Sequence, residues 1–174
     1  MYSVVELAEK AHALSAQGFA DEYGPAALLS KPSVEQLQRA ALSMPHTAAA
    51  SDSPQYLDEL LVMLRAFRTL NAFFLRPSRA PQAFVVGRDA SCDFSLDDPS
   101  VSKVHASVLW DGTSWHVLDE GSRNGTFVNA EPVSKEASPL SNGDAIAFGD
   151  FQLVFIDART LRSQLLAMPP PRKK

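Results

Sequence analysis

Between Phe84 and Ile156 the chain is cut into short runs rich in Val, Phe, Trp and Ile: Phe84–Val86, His105–Trp110, Trp115–Leu118, Thr126–Val128, Ala145–Phe148 and Phe151–Ile156. Asp111-Gly112, Asn124-Gly125 and Asn142-Gly143 stand between them, and six of the eight glycines fall from Gly87 to Gly149. Runs this short, with a period of two from about Asn71 onward and Asx-Gly turn pairs between them, specify antiparallel strands. Many short strands with such punctuation pack as a β-sandwich or barrel.

The preceding part reads differently. Ser3 and Glu6 form a cap and its partner three residues on, then Val4, Leu7, Ala8, Ala11 and Leu14 recur at helical spacing, with Gly18 as the expected stop. Ser33 and Gln36 repeat the device before Val34, Leu37, Ala41 and Leu42, and Pro45 ends that run. Ser53 followed by Pro54, early Asp58 and Glu59, and late Arg65 and Arg68 have the polarity of a third helix, with Leu57, Leu60, Leu61, Leu64 and Phe67 as its apolar stripe. His46 to Ser53 reads as a linker. The expected organisation is thus a helical region over 1–68, a sandwich over 71–158, and a C-terminal extension over 159–174 whose Pro-rich basic end is flexible.

Composition narrows the function. With 174 residues, 45% apolar and 21% charged, the chain is in the ordinary globular class. Cys92 is the one cysteine, so no intramolecular disulfide is possible, and it lacks the neighbours of a zinc site. No window approaches the roughly 18 apolar residues of a membrane span, and the expected location is the cytoplasm. The net charge of −4 argues against bulk affinity for nucleic acid. That charge is uneven: residues 77–160 carry 12 acidic and 6 basic side chains, residues 161–174 four basic and no acidic ones. The search for reacting groups finds no Gly-x-Ser-x-Gly elbow, no phosphate loop ending in Lys-Ser/Thr and no His-Glu-x-x-His pair. His12, His46, His105 and His116 share no metal-ligand spacing, and neither an enzyme nor a cofactor or metal is expected.

Four segments do carry a pattern: Phe84-Val85-Val86-Gly87-Arg88; Ser102-Lys103-Val104-His105-Ala106; Ser122-Arg123-Asn124-Gly125-Thr126-Phe127-Val128-Asn129; and Leu140-x-x-Gly143-Asp144-x-Ile146-x-x-Gly149. A strand ending in Gly-Arg, a Ser-x-x-His, a Ser-x-Asn-Gly-Thr-x-Val-Asn and a late Leu-x-x-Gly-Asp-x-Ile-x-x-Gly, in this order and at these distances, resemble the forkhead-associated (FHA) family over about residues 71–158. The resemblance implies a mainly β fold, a twisted antiparallel β-sandwich preceded here by an N-terminal α-helical region. It also implies that loops at one end bind phosphothreonine peptides.

On that resemblance Arg88 grips the phosphate, with a planar fork suited to bidentate contact, and the Ser102 hydroxyl contacts it too. Lys103 and Arg123, at neighbouring positions, add positive charge. Asn124 hydrogen-bonds the peptide backbone beside the phosphothreonine. His105 braces the loops, Gly87, Gly125 and Thr126 fix loop shape, and Asn129 serves its turn. Peptide preference is expected to lie around Asp97 to Ser100 and Gly121 to Asn124, with Asp89, Asp93, Asp97 and Asp98 disfavouring a very acidic flank.

The function this implies is a phosphothreonine-dependent adaptor in Ser/Thr kinase signalling or regulated assembly. Its partner is a phosphothreonine-containing protein, a kinase or its substrate, and its helices dock on a partner or on the sandwich. The alternative is a phospho-independent interaction protein of a larger assembly. A DNA-binding helix-turn-helix between Val4 and Leu42 is a third reading, weakened because Ser33 to Ser43 offers only Arg39 against Glu35.

Overall fold

The computed structural model describes residues 2–30, 69–70 and 72–167. The helices expected at Ser33 to Ser43 and Ser53 to Arg68, the linker between them and the tail from Met168 lie outside the described residues.

Ser3 caps helix α1 (Val4–Ala13), accepting the Glu6 N–H at 3.4 Å, and Val4, Leu7, Ala8 and Ala11 are buried along one stripe. The helical run does not reach Gly18. Ser15 caps a second helix, α2 (Ala16–Tyr23), and accepts the Gly18 N–H at 3.0 Å, so Gly18 lies in the first turn of α2. A serine between the two apolar stretches offers the backbone a new start, and that local bond overrides the continuous spacing.

After Gly24 the chain enters strand β2 (Ala26–Ser30), which follows the two-residue β1 (Tyr2–Ser3). The remaining strands are β3 (Thr69–Leu70), β4 (Ala72–Leu75), β5 (Gln82–Gly87), β6 (Phe94–Ser95), β7 (Ala106–Trp110), β8 (Trp115–Asp119), β9 (Thr126–Val128), β10 (Glu131–Pro132), β11 (Ser138–Leu140), β12 (Ala145–Phe148) and β13 (Phe151–Asp157), and helix α3 (Ala158–Leu166) closes the described chain. Among the described residues they form a six-stranded sheet in the order β10-β9-β12-β13-β2-β4, a five-stranded sheet in the order β11-β8-β7-β5-β6, and the short β1-β3 pair. All pairings are antiparallel except β5 with β6.

The two larger sheets enclose one core, to which Phe84, Val86, Val108, Trp115 and Val117 come from one side and Leu28, Ile146, Phe148, Leu153 and Phe155 from the other. A second core lies on the outer face of the six-stranded sheet, where Leu7, Phe19, Leu161 and Leu165 of the helices pack on Ala27, Leu29 and Ile156. Strand β2 contributes to both: Ala26 and Leu28 face inward, Ala27 and Leu29 face the helices. A strand buried on both faces shows no alternation, so Ala26–Leu29 reads in the sequence as part of the helical region. It lies instead between β13 and β4 in the sheet, with Leu28 opposite Phe155 and Phe73. The C-terminal extension is also ordered at its start. Asp157 caps α3 by accepting the Thr160 N–H at 2.6 Å, and Arg162 donates from Nε and Nη2 to the Leu14 carbonyl at 3.1 and 2.7 Å, tying α3 to the end of α1.

The turn pairs divide by function. Asp111-Gly112 joins the paired strands β7 and β8, and its carboxylate accepts the N–H groups of Thr113 and Ser114 at 2.7 and 2.8 Å. Asn124-Gly125 and Asn142-Gly143 instead lie where the chain crosses from the five-stranded to the six-stranded sheet. The tight β9–β10 turn uses Asn129 and Ala130, both at positive φ (52° and 69°), with no glycine to announce it.

Candidate functional site

Four connections meet at one end of the sandwich: those after β5, after β6, after β8 and between β12 and β13. The β6–β7 connection is the hub. Its Ser102 and Lys103 carbonyls accept the N–H groups of Arg88 and Asp89 at 2.9 and 3.1 Å. Its Ser102 hydroxyl accepts the Arg123 N–H at 3.0 Å, its Ser100 carbonyl accepts Asn124 Nδ2 at 2.7 Å, and its Ser100 hydroxyl accepts the Asp150 N–H at 3.0 Å. These bonds bring Arg88, Ser102, Lys103, Arg123 and Asn124 together from three separate loops.

Gly87 is required by this closeness. A Cβ there would stand 2.2 Å from the Lys103 carbonyl oxygen and 2.9 Å from Cys92 Sγ, so any side chain would push the Arg88 loop off the hub. The Cys92 thiol, held up by burial, donates to the same Lys103 carbonyl at 3.2 Å.

His105 sits beneath the loops and is fully buried. Nδ1 accepts the Ser102 N–H at 2.9 Å, and Nε2 lies 3.1 Å from the Gly125 carbonyl, which fixes the tautomer: Nε2 carries the proton and donates it. Burial lowers its pKa, opposed by the Gly125 carbonyl and the Asp119 charge. Its ring meets Phe148 edge-on at 5.7 Å, joining the site to the inner core. Gly125 takes φ +80° and also accepts the Gly149 N–H at 3.0 Å.

Charge is distributed so that cations face solvent. Arg88, Lys103, Arg123 and Asn124 are exposed and Ser102 is half-buried. Among the described residues the guanidinium groups of Arg88 and Arg123 have no hydrogen bond or ion pair. The nearby aspartates are engaged in shaping their own loops. Asp93 accepts the Val85 N–H at 2.7 Å, Asp89 the Ser91 N–H at 2.9 Å, and Asp98 the Ser100 N–H and hydroxyl at 2.8 and 2.6 Å. Bonds from Ser91 and from Ser100 hold the carboxyls of Asp89 and Asp98 below the usual range.

Chemically, this end offers two unpaired guanidinium groups, a Ser102 hydroxyl that accepts the Arg123 N–H and keeps its own hydrogen to donate, and an Asn124 side chain that donates Nδ2 to Ser100 and keeps Oδ1 to accept. Such a set suits an anion with several acceptor oxygens attached to a backbone that can donate an N–H. Among the described residues no group of three or more His, Cys, Asp or Glu could hold a metal, and no helix is long and apolar enough to cross a membrane.

Asn129 lies elsewhere. Its Nδ2 donates to Asp144 at 2.8 Å and its Oδ1 accepts the Ala145 N–H at 3.0 Å, at the start of β12 and the opposite end of the sandwich. Thr126 is buried and its hydroxyl donates to Asp119 at 2.6 Å. Ser100, expected only as part of the segment that sets peptide preference, orients Asn124, and Asp119, which no motif singles out, holds the Asn124 loop. The signal for Asp119 was present in its spacing, a carboxylate three residues before Ser122, the pattern by which an Asp side chain caps a turn.

Residues 84–149 match the family described as FHA domain. The chain is 49% identical over 71 residues to an oxoglutarate dehydrogenase inhibitor of Corynebacterium jeikeium, covering 41% of this chain and 48% of that protein. It is 46% identical over 70 residues to the glycogen accumulation regulator GarA of Mycolicibacterium smegmatis, covering 40% of this chain and 43% of that protein. These matches span less than half the length of either relative. A longer match, 40% identical over 113 residues, covers 64% of this chain and 74% of an oxoglutarate dehydrogenase inhibitor of Corynebacterium diphtheriae.

Proposed function

The chain belongs to the FHA-domain family, and on that footing we propose that it is a non-catalytic adaptor that binds a phosphothreonine-containing segment of a partner protein at the loop end of the sandwich. The observation that carries the reading is the Arg88 guanidinium: exposed, unpaired, and tied through its own N–H to the Ser102 carbonyl at 2.9 Å. A threonine phosphate brings about −1.5 to −2 charges and three strong acceptor oxygens. Arg88 supplies the bidentate fork, the Ser102 hydroxyl donates a further bond, and Lys103 and Arg123 set the local potential on a domain that is acidic overall. Asn124 Oδ1 accepts a peptide N–H and fixes the register of the bound segment.

The partner is a Ser/Thr kinase or a kinase substrate, met in the cytoplasm. The names of the relatives, an oxoglutarate dehydrogenase inhibitor and a glycogen accumulation regulator, support a regulatory role in which the partner is an enzyme under this chain's control. The helices α1, α2 and α3 pack on the sandwich rather than standing away from it.

Titration of phosphorylated and plain versions of one threonine peptide tests the reading. The phosphorylated form binds in the micromolar range, and Arg88→Ala weakens it about ten- to a hundredfold, as expected for charge-assisted bonds of about 1.5–3 kcal/mol. Equal affinity for the two peptides overturns the proposal and leaves phospho-independent docking as the function.

A further inference from the structure

The geometry points to Asp119 as the positioning residue of the site: we propose that its carboxylate sets the position of Asn124, and hence the affinity for peptide backbone, without touching the ligand. The inference rests on the phosphothreonine reading above. Asp119 ends β8, and everything between it and Thr126 is loop. Its Oδ2 accepts the N–H groups of Gly121 and Ser122, both at 3.0 Å, and its Oδ1 accepts the hydroxyls of Ser122 and Thr126, both at 2.6 Å. Ser122 Oγ in turn accepts the Gly125 N–H at 3.0 Å. One side chain therefore closes the loop at its beginning, its middle and its end.

The loop so closed has three outward ties, and each reaches a different part of the site. The Arg123 N–H goes to Ser102 Oγ, Asn124 Nδ2 goes to the Ser100 carbonyl, and the Gly125 carbonyl receives His105 Nε2. All three depend on the height at which the carboxylate holds the loop. The group must be an acceptor on both oxygens. An asparagine at 119 would keep one acceptor and turn an N–H2 toward two of the four donors, so the loop must shift even though size and shape are unchanged. Burial pushes the Asp119 carboxyl up, but the bonds from Ser122, Thr126 and Gly121 outweigh it and keep the group ionised. Glu120, the first residue of the loop, instead accepts the Ser107 hydroxyl at 2.5 Å.

A double-mutant cycle on phosphopeptide affinity, corrected for the folded fraction, separates positioning from general support. Asp119→Asn weakens binding about tenfold, as does Asn124→Ala, and the double variant is within about threefold of the weaker single one, because both remove the same contact. The same cycle with Lys103→Ala gives losses that multiply. The side-chain amide resonances of Asn124 move in Asp119→Asn while those of Asn129, at the far end, stay in place. If Asp119→Asn does not fold, Thr126→Val, which deletes one of the four donors, gives a smaller loss with the same non-additivity toward Asn124→Ala. Multiplying losses with Asn124→Ala, or unchanged affinity in a folded Asp119→Asn, overturns the inference. A wild-type protein that fails to prefer the phosphorylated peptide is a different result and overturns the reading beneath it.

Discussion

The helix-covered face of the six-stranded sheet and the loop end of the sandwich are held by different forces. On the covered face Val4, Leu7, Phe19, Ile156, Leu161 and Leu165 bury one another, with contacts that tolerate small shifts because apolar burial has no direction. At the loop end the links are single hydrogen bonds between residues far apart in sequence: Ser102 to Arg123, Ser100 to Asn124, His105 to Gly125. The first arrangement supplies stability and the second supplies position. A frame can absorb a displacement of some tenths of an ångström, whereas a ring of oriented donors cannot.

The comparison breaks most visibly if damage to the covered face reaches the site. Phe19 is fully buried and touches Tyr23 at a ring distance of 4.8 Å. Phe19→Ala should cost about 3–5 kcal/mol in denaturant unfolding. Phosphopeptide affinity, measured on the fraction still folded, should stay within about twofold of wild type. A parallel fall in both would show that the helices set the loop geometry and that the two regions are one unit.

His105 ties the loop end to the inner core through Phe148 and gives the next effect. Its native pKa is lowered chiefly by burial, so the unfolded chain binds a proton more readily than the folded one. The stability it contributes is fully present above the unfolded value of about 6.5 and is lost as pH falls from there through the depressed native value. Protonation would also place a hydrogen on Nδ1 against the Ser102 N–H and so open the loop hub. Denaturant midpoints should therefore decline on acidification below about pH 6.5. In His105→Gln this component of the decline should disappear. A wild-type profile that matches the variant's would show that the ring carries no such linkage.

The same contrast explains what could be read from the sequence. The strands that carry Phe84 to Val86, Val108, Val117 and Ile146 stand where the spacing places them, and those of Val117 and Ile146 alternate because one face meets the core. Strand β2 does not alternate because it is covered on both sides, and so its sequence does not separate it from the helical region. Ser15 ended α1 through a single local bond that periodicity does not register. At the site, the residue types Arg88, Ser102 and Asn124 stand out as a pattern, but their convergence depends on bonds that cross the chain, such as Asn124 to Ser100 over 24 positions. Asp119 and Ser100 act on neighbours rather than on a ligand, and nothing in composition separates such a residue from an ordinary turn former. In the sequence the aspartates from Asp89 to Asp98 stand out only as negative charge that disfavours a very acidic flank. Three of them accept N–H groups, Asp89 and Asp98 from residues two positions on and Asp93 from Val85 of β5.

Lys103 gives the smallest effect and sharpens the comparison within the site itself. Its backbone is fixed, since its carbonyl receives both the Asp89 N–H and the Cys92 thiol, but its side chain is exposed and bears on Asp89 through charge alone. A point charge on a flexible stem in water contributes little compared with an oriented guanidinium, and it does so through a screened field. Lys103→Ala should therefore weaken phosphopeptide binding by about fivefold at most at low salt, with no change in unfolding. Near 1 M salt, where the screening length is about 3 Å, the difference from wild type should vanish, while the Arg88→Ala defect persists because it rests on direct hydrogen bonds. Isothermal titration of both variants across a salt series decides the matter. A Lys103 effect as large as that of Arg88, or one that survives high salt, would mean that the lysine reaches the phosphate as a direct ligand, and the line between position and potential would then fall one residue further along the hub loop.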